Sequence, residues 1–434
     1  MRSEVGGCGH LGNADARSPS VWLDRHDSNP AHEPNVQGYA PVADQRGDSG
    51  TKRGAPALRV AFDVAPVLGS LTGVGTFCRH ALAALAVRDD LDMAAFALTW
   101  RHRDAIAARL PAGVSLGRRR VPARAVRSVW EWGAIPPLEW ITGPIGVAHG
   151  TNFVVPPTAH GGRVATVHDL TPVHHPELCN EATLAFPREI QRAIDQGAWI
   201  HAVSRFVADE VVSAFDVDPH RVRVVPHGVP PLPVVDPDVA RRLLESTLPP
   251  GTDDYVLAVG TAEPRKDLPS LVRAFDQLAG DRPGLALVLC GPPGWGESAL
   301  HESVTGAVHM KRIVRTGWVD DTTLAGLISR ASVLAYPSIY EGFGFPPLQA
   351  MAAGVPVVAT RAGALFEVLG DAALMVDVGD RDALVHALDL VLGNRDVRER
   401  LVASGSARAA RFTWEKCADG LAELYRAVAD ARTQ

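Results

Sequence analysis

Residue types that can do chemistry concentrate in the segment 336–360. The pattern predicts a strand, a loop carrying Glu341, Gly342 and Gly344, and a helix opened by a proline pair at 346–347, where the missing N–H costs nothing. Backbone N–H groups of such a loop and helix start converge where an anion would bind. The Glu341 carboxylate beside that anion can bind sugar hydroxyls. From the residues alone, an ordinary loop carboxylate with turn-forming glycines is the alternative.

Two features in the first half of the chain could also take part in chemistry. A glycine-rich loop at 69–75 contains Gly73 and Gly75 and precedes a helical pattern, so it offers N–H groups at a helix start. It does not have the spacing of a nicotinamide-binding loop, because Cys78 stands three residues after Gly75. His168 ends a predicted strand, and a histidine at such a position is more often structural when it is taken alone.

Two α/β series must position these residues, because short apolar strand patterns alternate with helical periodicity in both halves. The first series has predicted strands at 58–62, 93–98, 147–149, 164–168 and 199–204 and helices at 76–87, 181–198 and 205–215. The second has predicted strands at 255–260, 285–290, 313–315, 333–336 and 356–359 and helices at 268–279 and 414–429. A proline-rich stretch between them indicates a linker. We therefore predict an α/β fold of two facing Rossmann-like domains with a cleft between them.

Composition excludes several classes of protein. At roughly 150 residues per domain, 434 residues predict two or three domains. A formal net charge of −6 argues against a dedicated nucleic-acid binder. The 5 cysteines are scattered and never form a CxxC pair, which favours reduced thiols over a disulfide framework or a zinc site. Without an apolar run of about 18 residues or the apolar core of a signal peptide, a cytoplasmic protein is expected.

Taken together, these segments resemble the family 4 retaining glycosyltransferases, which have the GT-B fold. The family signature is two Glu residues at the spacing of Glu341 and Gln349. The segment 260–268 resembles the family's phosphate-binding segment, and 316–321 resembles the loop that touches the nucleotide base. The segments that resemble the acceptor domain are 73–75, 149–156, 167–170 and 203–206. The resemblance extends from about residue 58 to 430. The PRK block at 264–266 and the HDL block at 168–170 resemble those of the bacterial mannosyl and related transferases of surface polysaccharide synthesis.

The composition, the residue pattern and the resemblance together predict five segments along the chain. Residues 1–56 are expected to be a disordered tail, or to follow from a start codon assigned too far upstream. An N-terminal acceptor-binding Rossmann-like domain is expected at 57–229 and a proline-rich linker at 230–252. A C-terminal nucleotide-sugar-binding Rossmann-like domain is expected at 253–412, and a final helix at 413–434 would cross back to the first domain.

The resemblance also implies the site. Glu341 would hold the donor sugar, and His168 would orient the sugar and the acceptor hydroxyl. Arg265 and Lys266 would stabilise the departing nucleoside diphosphate, whose negative charge grows in the transition state; a solvated charge pair is the alternative. The implied catalytic residues are thus Glu341, His168, Arg265 and Lys266. The implied donor-binding residues are Gly73, Gly75, Gly260, Gly317, Trp318, Val319, Gly342, Phe343, Gly344, Leu348 and Gln349.

The chain departs from the family signature at Gln349, which stands where the second Glu accepts hydrogen bonds from the ribose of the nucleotide. A neutral amide in place of a carboxylate should weaken these bonds by about 1 kcal/mol. We therefore expect weaker donor binding but an active enzyme.

No metal and no cofactor are expected, because no acidic pair stands where a metal–diphosphate bridge would need it; the nucleotide-sugar is a substrate. The arginines at 118, 119, 120, 124 and 127 precede Trp130, Trp132 and Trp140. A solvated basic face followed by a core-packing helix is the preferred interpretation of this segment. Peripheral contact with a membrane surface, on the inner face of the plasma membrane, is the alternative.

The expected function is retaining, metal-independent transfer of a hexosyl unit from a nucleotide-sugar to a glycan or lipid-linked acceptor, in the synthesis of surface polysaccharide. GDP-mannose is the favoured donor, and no nucleic-acid partner is expected. Two alternatives stay open. One is a sugar-nucleotide epimerase, and the other is a non-catalytic glycosyltransferase-like binding protein, which Gln349 motivates.

Overall fold

The computed structural model describes the chain from the first predicted strand onwards. The described residues are 57–68, 72–99, 103–117, 119, 130 and 136–433, and they belong to one compact unit, Arg53–Gln434. Three predicted features lie wholly or partly outside them: the tail 1–56, the start of the glycine loop at 69–71, and the basic segment with Arg118, Arg120, Arg124, Arg127 and Trp132.

A seven-stranded sheet forms the first half of the described chain. Its strands are β1 (Leu58–Asp63), β2 (Leu91–Phe96), β3 (Ser115–Leu116), β4 (Val147–Gly150), β5 (Gly162–Val167), β6 (Trp199–Ala202) and β7 (Val222–Val224). Its helices are α1 (Gly73–Ala86), α2 (Arg103–Ala107), α3 (Glu139–Thr142), α4 (Thr171–His174), α5 (Phe186–Asp195) and α6 (Arg205–Phe215). The strands are parallel in the order β3-β2-β1-β4-β5-β6-β7. The winding reverses between β1 and β4, which creates a crevice at their carboxyl ends.

A six-stranded parallel sheet follows. Its strands are β8 (Asp254–Val259), β9 (Leu285–Cys290), β10 (Ile313–Gly317), β11 (Val333–Tyr336), β12 (Val357–Thr360) and β13 (Leu374–Val376). Its helices are α8 (Leu268–Asp281), α9 (Glu297–Gly306), α10 (Asp321–Ser329), α11 (Phe345–Ala352), α12 (Leu365–Leu369), α13 (Arg381–Gly393) and α14 (Arg395–Ala409). The order β10-β9-β8-β11-β12-β13 places the reversal between β8 and β11.

The strands of both sheets are nearly continuous apolar runs, because helices cover both faces of a parallel sheet. All six residues of β9 are buried. Helix α7 (Pro237–Thr247) lies in the connection between the sheets, where the Asp236 side chain caps its first turn, and it packs against α10. Among the helices of the described residues, none is both long and apolar enough to span a bilayer.

The last helix, α15 (Trp414–Thr433), packs on the first sheet rather than on the second. Leu421 and Tyr425 are fully buried in one core with Phe62 of β1 and Phe77 of α1. The chain therefore returns to its first domain at the end.

The predicted class of fold is confirmed by the two parallel sheets, whereas several element boundaries differ. The short strands β3, β7 and β13 were not predicted, because two or three residues carry no periodicity. The helix predicted at 181–198 consists of a 3-10 turn at Thr183–Ala185 and α5, in which Pro187 stands in the first turn. The predicted glycine loop ends earlier than expected, since Gly73 and Gly75 belong to the first turn of α1.

Candidate functional site

The candidate site lies at the carboxyl ends of β8 and β11, the two strands that flank the switch point of the second sheet. Open α/β sheets bind ligands in this crevice. A 3-10 turn at Pro264–Lys266 follows β8 and presents Arg265 and Lys266. The loop after β11 presents Glu341, so the switch point brings together residues 75 positions apart in the chain.

Glu341 is the centre of this cluster and is only 5% exposed. Its Oε1 accepts hydrogen bonds from Lys266 Nζ at 2.5 Å and from Ser338 Oγ at 2.7 Å. Its Oε2 accepts from Arg265 NH1 at 2.9 Å. Each carboxylate oxygen thus has a cationic partner, which fixes the side chain.

The two cations have further partners. Lys266 Nζ donates to the Tyr336 hydroxyl at 2.6 Å, and Arg265 Nε donates to Glu263 Oε2 at 2.7 Å. The backbone is held as well, because Ile339 N donates to the Arg265 carbonyl at 2.7 Å. Two cations and two carboxylates give the cluster a formal charge of zero.

Electrostatics keep the Glu341 carboxyl ionised. Burial alone would raise its pKa, but the charges of Lys266 and Arg265 lower it to about 2. Burial and then the charge of Arg265 lower the pKa of Lys266, against the opposing effect of Glu341. The pKa of Arg265 would be lowered by burial but is raised well above its usual value by Glu341 and Glu263. The close contacts of the carboxylate with both cations assign the charged form to all three groups.

The loop that carries Glu341 also touches the first sheet. A Cβ on Gly342 would lie 1.7 Å from the His168 carbonyl oxygen, so the two backbones approach more closely than any side chain permits. Ser204 Oγ donates to the Gly342 carbonyl at 3.0 Å. The Tyr340 hydroxyl accepts from Leu170 N at 3.2 Å. The structure thus brings the predicted His168 and Glu341 segments together from opposite sheets.

The surroundings of His168 favour its neutral form. Its Nε2 lies 2.8 Å from the Thr151 carbonyl and therefore donates to it, which leaves Nδ1 as an acceptor. Burial lowers the pKa of His168. The ring packs edge-on against Phe77 and Phe153, with centroids 5.5 and 5.9 Å away. A neutral histidine of this kind can orient a hydroxyl through Nδ1 or its carbonyl.

A hollow at the carboxyl ends of β8, β9 and β10 adjoins the charged cluster. Gly260 and Gly317, both predicted, line it together with Cys290, Gly291 and Arg315, which sequence reasoning missed. The neighbouring Trp318 is 52% exposed. Val319 follows it and is partly buried.

The remaining predicted donor residues have different surroundings. Leu348 is fully buried in α11, and Phe343 packs in the core against Phe345 and Phe412, so their side chains do not face the crevice. Gln349 is 8% exposed, and its Nε2 donates to the Pro230 carbonyl at 3.4 Å. The amide of Gln349 therefore contacts the connection between the sheets.

Three of the predicted glycines lie at the starts of helices. Gly344 has φ 100° at the start of α11. Gly73 is exposed at the start of α1, where a Cβ would lie 3.8 Å from the Phe345 ring of the second half, and Gly75 is buried. The start of α1 thus faces the start of α11.

Sequence reasoning missed several polar residues of the site. Tyr336 and Ser338 stand within the segment 336–360 and Glu263 within 260–268, so their polarity next to Glu341 and Arg265 was a usable signal. Tyr340 and its hydrogen-bond partner Glu210 are 130 positions apart, and no sequence signal connects them. Within the described residues, no group of His, Cys, Asp or Glu has the arrangement of a metal site.

Known proteins share both the sequence pattern and the fold. The family model described as "Glycosyl transferases group 1" matches residues 240–408. The O-antigen chain mannosyltransferase B of Escherichia coli is 31% identical over 291 residues, which are 64% of this chain and 74% of the relative. A D-inositol 3-phosphate glycosyltransferase of Nocardia farcinica is 30% identical over 303 residues, 67% of this chain and 65% of the relative.

Two solved structures share the architecture. Sucrose-phosphate synthase from Thermosynechococcus elongatus superposes with a TM-score of 0.66 at 21% identity, over 86% of this chain and 100% of that one. WaaG, a glycosyltransferase involved in lipopolysaccharide biosynthesis, superposes with a TM-score of 0.63 at 16% identity, over 86% and 99%. The predicted GT-B fold is thereby confirmed.

Proposed function

Because the chain belongs to the glycosyl transferases of group 1, we propose that it is a retaining, metal-independent hexosyltransferase. It moves a hexosyl unit from a nucleotide-sugar to a hydroxyl of a glycan or lipid-linked acceptor. Membership of a transferase family argues against the epimerase alternative.

The observation that carries this proposal is the buried cluster of Arg265 and Lys266 around Glu341 at the switch point. As the bond between the anomeric carbon and the phosphate oxygen breaks, negative charge grows on the departing diphosphate. Two fixed cations in a water-poor site stabilise that charge more in the transition state than in the ground state. Arg265 suits two phosphate oxygens, and Lys266 supplies a compact charge.

Donor binding would exchange partners within this cluster. The diphosphate takes hydrogen bonds from Arg265 and Lys266, and the Glu341 carboxylate then turns its lone pairs to hydroxyls of the donor sugar. The pKa of about 2 supports this role, because Glu341 stays an acceptor at every physiological pH.

The acceptor's proton needs no carboxylate base. The acceptor oxygen bonds to the anomeric carbon on the face that the phosphate leaves, and its proton passes to the departing phosphate oxygen. His168 is neutral and has only Nδ1 and its carbonyl to offer, so it orients the hydroxyl instead of carrying charge.

GDP-mannose is the proposed donor, and surface polysaccharide synthesis the proposed setting. The mannosyltransferase name of the Escherichia coli relative supports both. The nucleoside would occupy the hollow beside Gly260 and Gly317. Gln349 would contact the ribose at a cost of about 1 kcal/mol relative to Glu. Cytoplasmic localisation, and membrane contact through the arginine-rich segment, are further predictions.

The test is thermal unfolding with GDP, UDP and dTDP, followed by turnover assays with the matching sugar nucleotides. A ligand at 100 times its dissociation constant adds about 2.7 kcal/mol to folded-state stability. Lys266→Ala should abolish both the nucleotide shift and turnover, whereas Lys311→Ala, at an exposed lysine of the same half, should change neither. An NMR measurement of the product's anomeric configuration tests retention, and an inverted product would overturn that part of the proposal.

Gln349 favours one second candidate, a non-catalytic nucleotide-binding protein. That function predicts nucleotide stabilisation without turnover on any acceptor. A gain of turnover in Gln349→Glu would then identify the substitution as the cause of inactivity.

A further inference from the structure

A second pocket lies in the first half of the described chain, at the amino-terminal ends of β5 and β6. Its walls include Arg163 of β5, Trp199 at the start of β6, and Arg432 of α15. Arg163 and Trp199 stand at the amino-terminal ends of their strands, whereas His168 follows the carboxyl end of β5. Five residues of extended strand separate Arg163 from His168, or about 17 Å. The pocket is therefore separate from the cleft.

Two guanidinium groups line this pocket, and a third lies beside its wall. Arg163 and Arg432 line it directly. Arg221 comes from the turn before β7, and its NH2 lies 3.7 Å from the position of a Cβ on Gly197 in the pocket wall. Burial, and then the charges of Arg432 and Arg221, lower the pKa of Arg163.

Neutral oxygens hold all three side chains. Arg163 NH1 donates to Gln196 Oε1 at 2.7 Å, Arg221 NH2 to the Ala198 carbonyl at 2.9 Å, and Arg432 Nε to the His160 carbonyl at 3.3 Å. In the part of the chain that the structure describes, no carboxylate forms an ion pair with any of them. The nearby Glu139 carboxylate instead accepts from the backbone N–H groups of residues 159–161 at 2.9–3.1 Å.

The fold fixes this arrangement through Gly162. A Cβ there would lie 2.3 Å from the Val428 side chain and 3.2 Å from its carbonyl, so only glycine lets α15 approach β5 so closely. Arg432 lies four residues after Val428, one turn along the same face of α15. The close contact thus helps to place Arg432 in the lining of the pocket.

We propose that this pocket is a binding site for a phosphate group or a similar small oxyanion. The uncompensated guanidinium groups of Arg163 and Arg432 supply the hydrogen-bond donors that phosphate oxygens accept in pairs, and the charge of Arg221 adds to the positive potential. The cavity of about 110 Å³ is several times the ~10–15 Å³ that one water needs, so it has room for a five-atom oxyanion. A bound oxyanion joins α15 to the first sheet by bridging Arg432 and Arg163.

The experiment measures phosphate affinity by calorimetry in the Lys266→Ala background, which suppresses phosphate binding at the cleft. Arg432→Gln and Arg163→Gln should each weaken binding about tenfold or more, the loss expected for a charge-assisted hydrogen bond. Arg400→Gln, at an exposed arginine of α14, is the matched control and should leave the affinity unchanged. Arg432 is exposed, so its variant should melt like the parent protein.

Two further binding measurements distinguish between a soluble phosphate ester and a lipid headgroup as the source of the oxyanion. Glycerol 3-phosphate tests a soluble monoester, and phosphatidylcholine vesicles with phosphatidic acid test a lipid headgroup. If glycerol 3-phosphate or the vesicles bind, and Arg432→Gln abolishes that binding, the result supports the site and identifies the source of the oxyanion. Phosphate affinities equal to the parent's in both glutamine variants, or no phosphate binding in the Lys266→Ala background, would overturn the proposal.

Discussion

The sharpest prediction concerns Glu341→Gln, because the two oxygens of Glu341 have different cationic partners. Its Oε1 faces Lys266 and its Oε2 faces Arg265, at 2.5 and 2.9 Å. Glutamine keeps one oxygen and replaces the other by an NH₂ group, which only donates. Either orientation therefore turns a donor toward a cation and leaves that cation without its carboxylate.

The magnitude follows from burial. Breaking a buried ion pair by removing one partner costs about 3–5 kcal/mol, because a buried charge is left uncompensated. The formal charge of the cluster, with Arg265 and Lys266 against Glu263 and Glu341, rises from zero to +1. A bound diphosphate replaces the missing negative charge, so nucleotide affinity should rise about tenfold, equal to about 1.4 kcal/mol. Turnover should fall about 10²- to 10³-fold, because the hydroxyls of the donor sugar lose the carboxylate that accepts their hydrogen bonds.

The assay combines thermal unfolding with steady-state kinetics. Glu341→Gln should melt below the wild type without ligand and gain more stability than the wild type from the nucleotide that the wild type binds. Glu302→Gln, an exposed carboxylate of α9, should match the wild type in both measurements. Wild-type melting without ligand, or a smaller nucleotide shift than in the wild type, would refute the account of the cluster.

Three further predictions concern the first sheet and its contact with the loop that carries Glu341. Tyr425→Phe should lower the free energy of unfolding by about 1–3 kcal/mol. The buried Tyr425 hydroxyl lies 2.6 Å from His149 Nδ1, in a hydrogen-bonded chain that runs through Thr166 to His201, and its loss leaves one member of the chain unpaired. An unchanged denaturation midpoint would contradict this. The free energy of unfolding should fall as pH drops below about 6.5, because burial lowers the pKa of His149, and lowers the pKa of His201 to about 4. The unfolded state then binds more protons than the folded state, and each histidine contributes a slope of about 1.4 kcal/mol per pH unit. A stability profile that is flat between pH 6.5 and 4 would count against this. Gly342→Ala should lower the melting temperature by the equivalent of about 1–3 kcal/mol or more and abolish turnover, because its Cβ meets a backbone carbonyl; wild-type turnover would show that the loop moves freely.

The sequence was informative wherever chemistry and local pattern coincide. The strand at 285–290 and the helix at 205–215 have the predicted boundaries, because their apolar residues and flanking signals agree. Arg265, Lys266 and Glu341 could be selected as site residues because each follows a clear strand in a distinctive motif. The resemblance to a known family added what spacing alone does not contain, namely which motifs face each other.

What could not be predicted depends on contacts between distant segments. Leu348 stands in the signature motif, yet its side chain faces the core, because α11 presents only part of its surface to the crevice. The cationic pocket at Arg163 could not be predicted for the same reason, since the arginines in and beside it come from a strand, a turn and the last helix. Nothing in the sequence around Arg432 indicates that Gly162 would bring it there.

The loop carrying Glu341 is held from both halves of the described chain, so the position of the Glu341 carboxylate depends on both sheets. On the second sheet, Ala364 N donates to the Glu341 carbonyl at 2.8 Å. On the first, Ser204 donates to Gly342, and Tyr340 accepts from Leu170. Any separation of the sheets must break the latter contacts, and it would displace the carboxylate relative to the cations after β8. Under the proposed function, donor orientation by Glu341 therefore depends on the approach of the two sheets, since the same loop contacts both.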